Sequence, residues 1–309
     1  MTASPSRRIH LVERAMLALG GTPPAQHDAG APVEAGTAAA DTLPPRLTAS
    51  AAPSAQPVSH PATQPISLET LCKGGYAALT GNAQRSRVRE ELGVVQHQVL
   101  RAVQAAKAEE GRIPRMVLVT SAKPGEGKTF CSLNIATSLA ISAPEQVILV
   151  DADGKMQDSL TVLLGLAEKP GLRALATDPT CRPEMLPIPT VLRRLSVLSY
   201  GPSAPGASGL PSGQMLAAAL SRLASALPGR ILVVDAPPCL ATSEPGALAA
   251  VAGQVLMVVR AEATQRGEVE SALDMVDACP TLQLLLNRTH MVTSDGFGAY
   301  DYEGSHNSG

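Results

Sequence analysis

The chain has 309 residues and a formal net charge of −2, so no overall basic field recruits nucleic acid. Hydrophobic residues make up 45% of it but aromatics only 2%, which places part of that content in alanine-rich stretches that build no core. Its five cysteines, Cys72, Cys131, Cys181, Cys239 and Cys279, are scattered and never form a CxxC pair, and its six histidines, at positions 10, 27, 60, 97, 290 and 306, are equally isolated; reduced thiols are expected and a zinc site is not.

No apolar run approaches the roughly 18 to 20 residues that span a bilayer, and the N-terminus lacks a secretory apolar region, so a soluble cytoplasmic protein is expected. Within residues 1–21, Ile9, Val12, Met16 and Leu19 recur at helical spacing beside Arg7, Arg8 and Arg14, and Gly20-Gly21 closes the pattern. Such a short amphipathic helix is unstable alone and is expected to dock, on its own domain or on a partner or membrane surface. Residues 22–66 are alanine, proline, serine and threonine with little apolar periodicity, and read as a disordered linker. A folded domain is expected over 67–290 and a flexible tail over 291–309. From Ala83 to Glu110, Val88, Leu92, Val95, Val99 and Val103 mark one face of a long helix, with Arg85, Arg87, Arg89 and Arg101 off that face.

The stretch MVLVTSAKPGEGKT, Met116 to Thr129, is the centre of the chain's chemistry. An apolar strand feeds a glycine-bearing loop, and a helix carrying Leu133, Ile135 and Leu139 follows. The loop thus lies on a helix N-terminus, where free N–H groups and the dipole favour polyanions. Ala122 stands where the usual GxxxxGK[ST] pattern begins with glycine. Lys123, Pro124, Gly125, Glu126, Gly127, Lys128, Thr129 and Phe130 form the expected ATP-binding stretch. Lys128 is expected to reach the β- and γ-phosphates, and Thr129 to bind Mg²⁺ directly.

Beyond the loop, apolar runs at Val147 to Val150, Leu195 to Leu198, Ile231 to Val234, Val255 to Val259 and Leu282 to Leu286 alternate with helical stretches, notably Gln214 to Leu227 and Val269 to Ala278. That order predicts an α/β fold of the P-loop NTPase type: a mainly parallel, doubly wound sheet with helices on both faces. Ligands in such sheets bind at the carboxyl ends of the strands. Two strands deliver acids there, VILVDAD with Asp151 and Asp153 and ILVVDAPP with Asp235. Asp153 and Asp235 are expected to hold Mg²⁺ through its waters, and Asp151 to be free to accept a hydroxyl proton or to orient a water. With Lys128, Asp151 and Asp153 make up the expected catalytic set.

With these residues in place the chain resembles the bacterial tyrosine kinases of polysaccharide biosynthesis, a branch of the P-loop ATPases that also includes septum-positioning and chromosome-partition ATPases. The likeness runs from about Arg87 to Asn287 and is carried by SAKPGEGKTF with NIATSLA, VILVDAD, PGL at Pro170 to Leu172, VVDAPP and GQVLMVVRAEAT. Glu13-Arg14-Ala15 and DADGK resemble the cytoplasmic autokinase that accompanies exosortase-type export. The resemblance implies Mg-ATP-dependent autophosphorylation on tail tyrosines, here Tyr300 and Tyr302, controlling assembly or export of an exopolysaccharide. It implies a membrane chain-length determinant as activating partner, hence peripheral placement at the inner membrane, and it puts Asn287 near the adenine.

Two features keep other readings open. The family's Glu-x-x-Arg-x-x-Arg pattern, which joins subunits in a ring, falls here on Glu90, Gly93 and Gln96, so both arginines are missing and a homo-oligomer is left undecided. Lys123 falls where partition-type ATPases carry a lysine that crosses to a partner's nucleotide. A partition-type switch without kinase activity, or a pseudo-kinase that only senses nucleotide, are the alternatives.

Overall fold

The computed structural model describes residues 64–77, 83–155, 157–202 and 209–289, and of 83–87 the backbone alone. The expected N-terminal helix over 1–21, nearly all of the 22–66 linker, the 291–309 tail and both tail tyrosines lie outside the described residues. The elements in chain order are α1 (Leu68–Lys73), α2 (Ala83–Ala105), β1 (Ile113–Ser121), α3 (Lys128–Ser142), β2 (Val147–Asp151), α4 (Leu160–Leu163) and α5 (Leu172–Thr177). There follow β3 (Ile188–Pro189), β4 (Leu195–Leu198), α6 (Gly213–Ala226), β5 (Ile231–Asp235), α7 (Glu244–Val251), β6 (Ala252–Arg260), α8 (Arg266–Met275) and β7 (Leu282–Asn287).

The strands form one sheet in the order β3-β4-β2-β5-β1-β6-β7. Every pairing is parallel except that of β3 with β4. Successive side chains of a strand point to opposite faces, and both faces here are covered, which is why β1, β2 and β5 read as unbroken apolar runs. Met116, Leu118, Ile148, Val150, Leu232 and Val234 join one core with Leu216, Leu220 and Leu223 of α6 and Leu248 of α7. Val117, Val119, Leu149 and Val233 join the other with Leu133, Ile135 and Leu139 of α3 and Leu92, Val99 and Val103 of α2. Each fully buried leucine is worth ~1.5–3 kcal/mol of transfer free energy, so the central strands are the best-anchored part of the chain.

The differences from expectation have local causes. The α2 helix ends at Ala105, not Glu110, because Val103 is the last residue of its apolar face and the chain must reverse at Gly111, φ 77°, to enter β1. The α8 helix starts three residues earlier than expected, because Gln265 and Glu268 form a capping box that fixes its first turn, and it ends at Met275. Helices α1, α4, α5 and α7 and the antiparallel β3 were not expected; α1 and α4 are each capped by a serine, Ser67 and Ser159.

Candidate functional site

The central strands end together. β1 lies between β5 and β6, and β2 lies beside β5 with Asp151 in register with Asp235, so these carboxylates are neighbours at the carboxyl edge. The phosphate-type loop leaves the same edge, and Gly127, φ 98°, is the N-cap of α3. The positive φ at Gly127 favours glycine, and a Cβ there would push aside the Asn287 amide that rests against the loop.

Lys128 is buried and donates from Nζ to Asp153 Oδ2 at 2.7 Å. Lys155 Nζ lies 3.0 Å from the same oxygen. Burial works against the charge of Lys128, but Asp235 and Asp153 outweigh it and hold its pKa above the ordinary value. Burial likewise pushes the Asp153 carboxyl up, and the two lysines more than reverse that, leaving it below the usual range.

Asp235 is fully buried, and burial raises its pKa although Lys128 and the Thr129 hydroxyl pull the other way. Ser132 donates to its Oδ1 at 3.1 Å, while Oδ2 has no hydrogen-bond partner. An unpartnered buried carboxylate oxygen is costly, and beside a loop threonine it suits a cation. The donor set is all oxygen, from Thr129, Asp235 and Asp153, which fits Mg²⁺ held partly by water and phosphate. Among the described residues no group of three or more His, Cys, Asp or Glu forms a protein-only metal cage.

Asp151 is fully buried, and its oxygens accept from the backbone N–H of Asp153 at 3.0 Å and of Thr161 at 2.7 Å. Each of its oxygens is thus engaged within the chain, one by an amide just after β2 and the other by an amide in the first turn of α4. Burial, then the neighbouring Asp235, push its pKa up to about 7.

On the other side of the loop, Lys123 Nζ pairs with Glu268 Oε1 at 2.8 Å. Glu126 is buried: its Oε2 accepts from Lys123 N at 2.7 Å, and its Oε1 accepts from Arg260 N at 3.3 Å and from the Thr264 hydroxyl. Asn287 Nδ2 donates to the Glu126 carbonyl at 2.8 Å, which places Asn287 against the loop. Pro124, Gly125, Thr129 and Phe130 flank these contacts within the same loop and first turn.

Lys155, Ser132, Thr264, Glu268 and Tyr200 also lie at this edge, with no role expected from their motifs. Tyr200 closes the edge beyond Asp153; a Cβ at Gly154 would come within 2.6 Å of its ring. Thr264 is the last residue of the GQVLMVVRAEAT stretch, and Lys155 ends DADGK, so both carried a sequence signal. Where the family's arginines would fall, Gly93 faces open space and Gln96 Nε2 donates to Ser142 at 2.6 Å within the chain. No helix of the described residues is long and apolar enough to cross a membrane.

No family model matches the chain. It is 31% identical over 182 residues to EpsB of Ralstonia nicotianae, a match covering 56% of this chain and 22% of EpsB, so it spans about a fifth of that relative's length. It is 25% identical over 195 residues to the tyrosine-protein kinase YwqD of Bacillus subtilis, covering 62% of this chain and 80% of YwqD. Among solved structures, the kinase domain of VpsO is similar with a TM-score of 0.50 and 26% identity, over 67% of this chain and 100% of that one. The chain thus has the α/β fold of the P-loop ATPases and a distant similarity, at 25 to 31% identity, to proteins named as bacterial tyrosine kinases.

Proposed function

We propose that the chain is an ATP-dependent protein-tyrosine autokinase that regulates exopolysaccharide assembly or export, of the kind that accompanies exosortase-type systems. The observation that carries this is the meeting of Lys128, Thr129, Asp153 and Asp235 at one strand edge, with a buried oxygen of Asp235 left unpartnered. The likeness to YwqD, named a tyrosine-protein kinase, directs the nucleotide reading toward tyrosine transfer.

In this reading the amides of Gly125 to Thr129 and the Lys128 ammonium bind the phosphates of ATP, and Asn287 sits on the nucleoside side. Thr129, with Asp153 and Asp235 behind it, would hold Mg²⁺, which when bound offsets charge on the phosphate oxygens. Asp153, kept ionised by two lysines, fixes Lys128 in place. Asp151, with a pKa near neutrality, is suited to take the acceptor hydroxyl's proton on the lone pairs that its two amide contacts leave. Tyr300 and Tyr302 are the proposed acceptors, a membrane chain-length determinant the activating partner, and the cytoplasmic face of the inner membrane the place of action.

The partition-type alternative needs Lys123 to leave the chain for a partner, and its pairing with Glu268 weighs against that. The test is mass spectrometry of the C-terminal peptide after incubation with Mg-ATP, with and without the membrane partner. Phosphate on Tyr300 or Tyr302 in the wild type and none in Lys128→Ala is expected; an unmodified wild-type tail in both conditions would reject the kinase.

A further inference from the structure

We infer that Thr264 and Glu126 form a clamp that sets the affinity of the phosphate loop for its nucleotide, both acting as positioning residues on the side of the loop away from the metal ligands. The inference rests on the nucleotide reading above and concerns two side chains that reading leaves without a task.

A carboxylate inside a loop meant for polyphosphate is unfavourable by charge alone. Glu126 is nonetheless there, only 2% exposed. It is tolerated because its oxygens are consumed by the protein: Lys123 N at one, Arg260 N and the Thr264 hydroxyl at the other. Those three donors take most of its acceptor capacity and turn both oxygens toward the chain itself. They also join the loop to elements remote in sequence, the end of β6 at Arg260 and the β6–α8 connection at Thr264. The contact of Asn287 with the Glu126 carbonyl adds the end of β7. The ends of two strands and the connection between β6 and α8 therefore meet on one residue of the loop.

The nucleoside must leave the phosphates along the strand edge. On the β5 and β2 side the edge is filled by Asp235, Asp153 and Asp151 with their lysines; on the β6 and β7 side it carries the connection that Glu126 grips. Glu126 thus links the wall that borders the nucleoside to the loop that takes the phosphates. Without the Thr264 hydroxyl, Oε1 keeps only the longer bond from Arg260 N. The carboxylate's charge is then less offset near the phosphates, and the loop loses its tie to the connection.

The experiment is calorimetric titration of Mg-ATP into the full chain and into Thr264→Val and Thr264→Ser. Thr264→Val, nearly isosteric, is expected to raise Kd about tenfold, the worth of part of one charge-assisted hydrogen bond, with stoichiometry unchanged. Thr264→Ser, which restores the hydroxyl, should bind within about twofold of the wild type. A merely structural role would lower the stoichiometry and leave Kd alone, and that result, or a wild-type Kd in Thr264→Val, overturns the clamp while leaving the nucleotide reading intact. A wild-type chain that takes up no ATP overturns both.

Discussion

The two flanks of the phosphate loop solve opposite electrostatic problems. Toward β5 and β2, three buried carboxylates face two ammonium groups, one carboxylate oxygen has no partner, and Asp151 and Asp235 are pushed toward their protonated forms. Toward β6 and β7, Glu126 has both oxygens satisfied by donors of the chain itself, and Lys123 and Glu268 neutralise each other. The contrast teaches a division of labour: the β6 flank fixes the loop's shape, and the β5 flank supplies negative charge that suits a cation.

The largest expected effect attacks the β5 flank. Lys128→Met removes the cation that Asp153 and Asp235 share, and breaking a buried pair of this sort costs about 3–5 kcal/mol. Urea denaturation should show that loss, and adding Asp235→Asn should recover a good part of it. If Lys128→Met is as stable as the wild type, the β5 flank is not balanced as described.

Next comes a pH dependence. Asp151 has a folded pKa of about 7, above its ordinary 3.8, so between those values the native state binds the proton that the unfolded state releases. Its contribution to stability is therefore intact at acid pH and lost as pH rises through about 7, by an amount on the order of 2–4 kcal/mol. Stability measured from pH 4 to 8 should fall less steeply in Asp151→Asn. Equal slopes would deny the carboxyl its raised pKa.

On the opposite flank, Gly127→Ala forces a left-handed backbone on alanine and drives a methyl at Asn287, for a cost of about 1–3 kcal/mol. Thermal denaturation should register it, together with weaker Mg-ATP uptake. The smallest effect is expected from Lys123→Ala. Its ion pair with Glu268 is solvent-exposed, so thermal stability should hardly change, and the oligomeric state by sedimentation should not change. A nucleotide-dependent dimer lost in Lys123→Ala would put the partition-type reading ahead of the kinase.

Much of this was legible in the chain itself. The runs ending in Asp151 and Asp235 and the loop ending in Lys128-Thr129 are local signals: a short apolar run bounded by polar residues, and glycines ahead of a helix. The parallel order followed from the alternation of strands and helices. The start of α8 was also written locally, in Gln265 and Glu268, and was passed over. The surroundings of Asp151 were not legible, since nothing local to VILVDAD shows that its oxygens accept from the amides of Asp153 and Thr161.

The sequence by itself determined the central strands, the loop on its helix and the acids at the strand ends, because each depends on residues a few positions apart. Only the tertiary structure decided which of those groups meet. Lys128 reaches Asp153 across 25 positions, Glu126 reaches Thr264 across 138 and Lys123 reaches Glu268 across 145. No periodicity encodes such pairings; they follow from strand order in the sheet, which brings β2 and β5 to one side of the loop and β6 and β7 to the other.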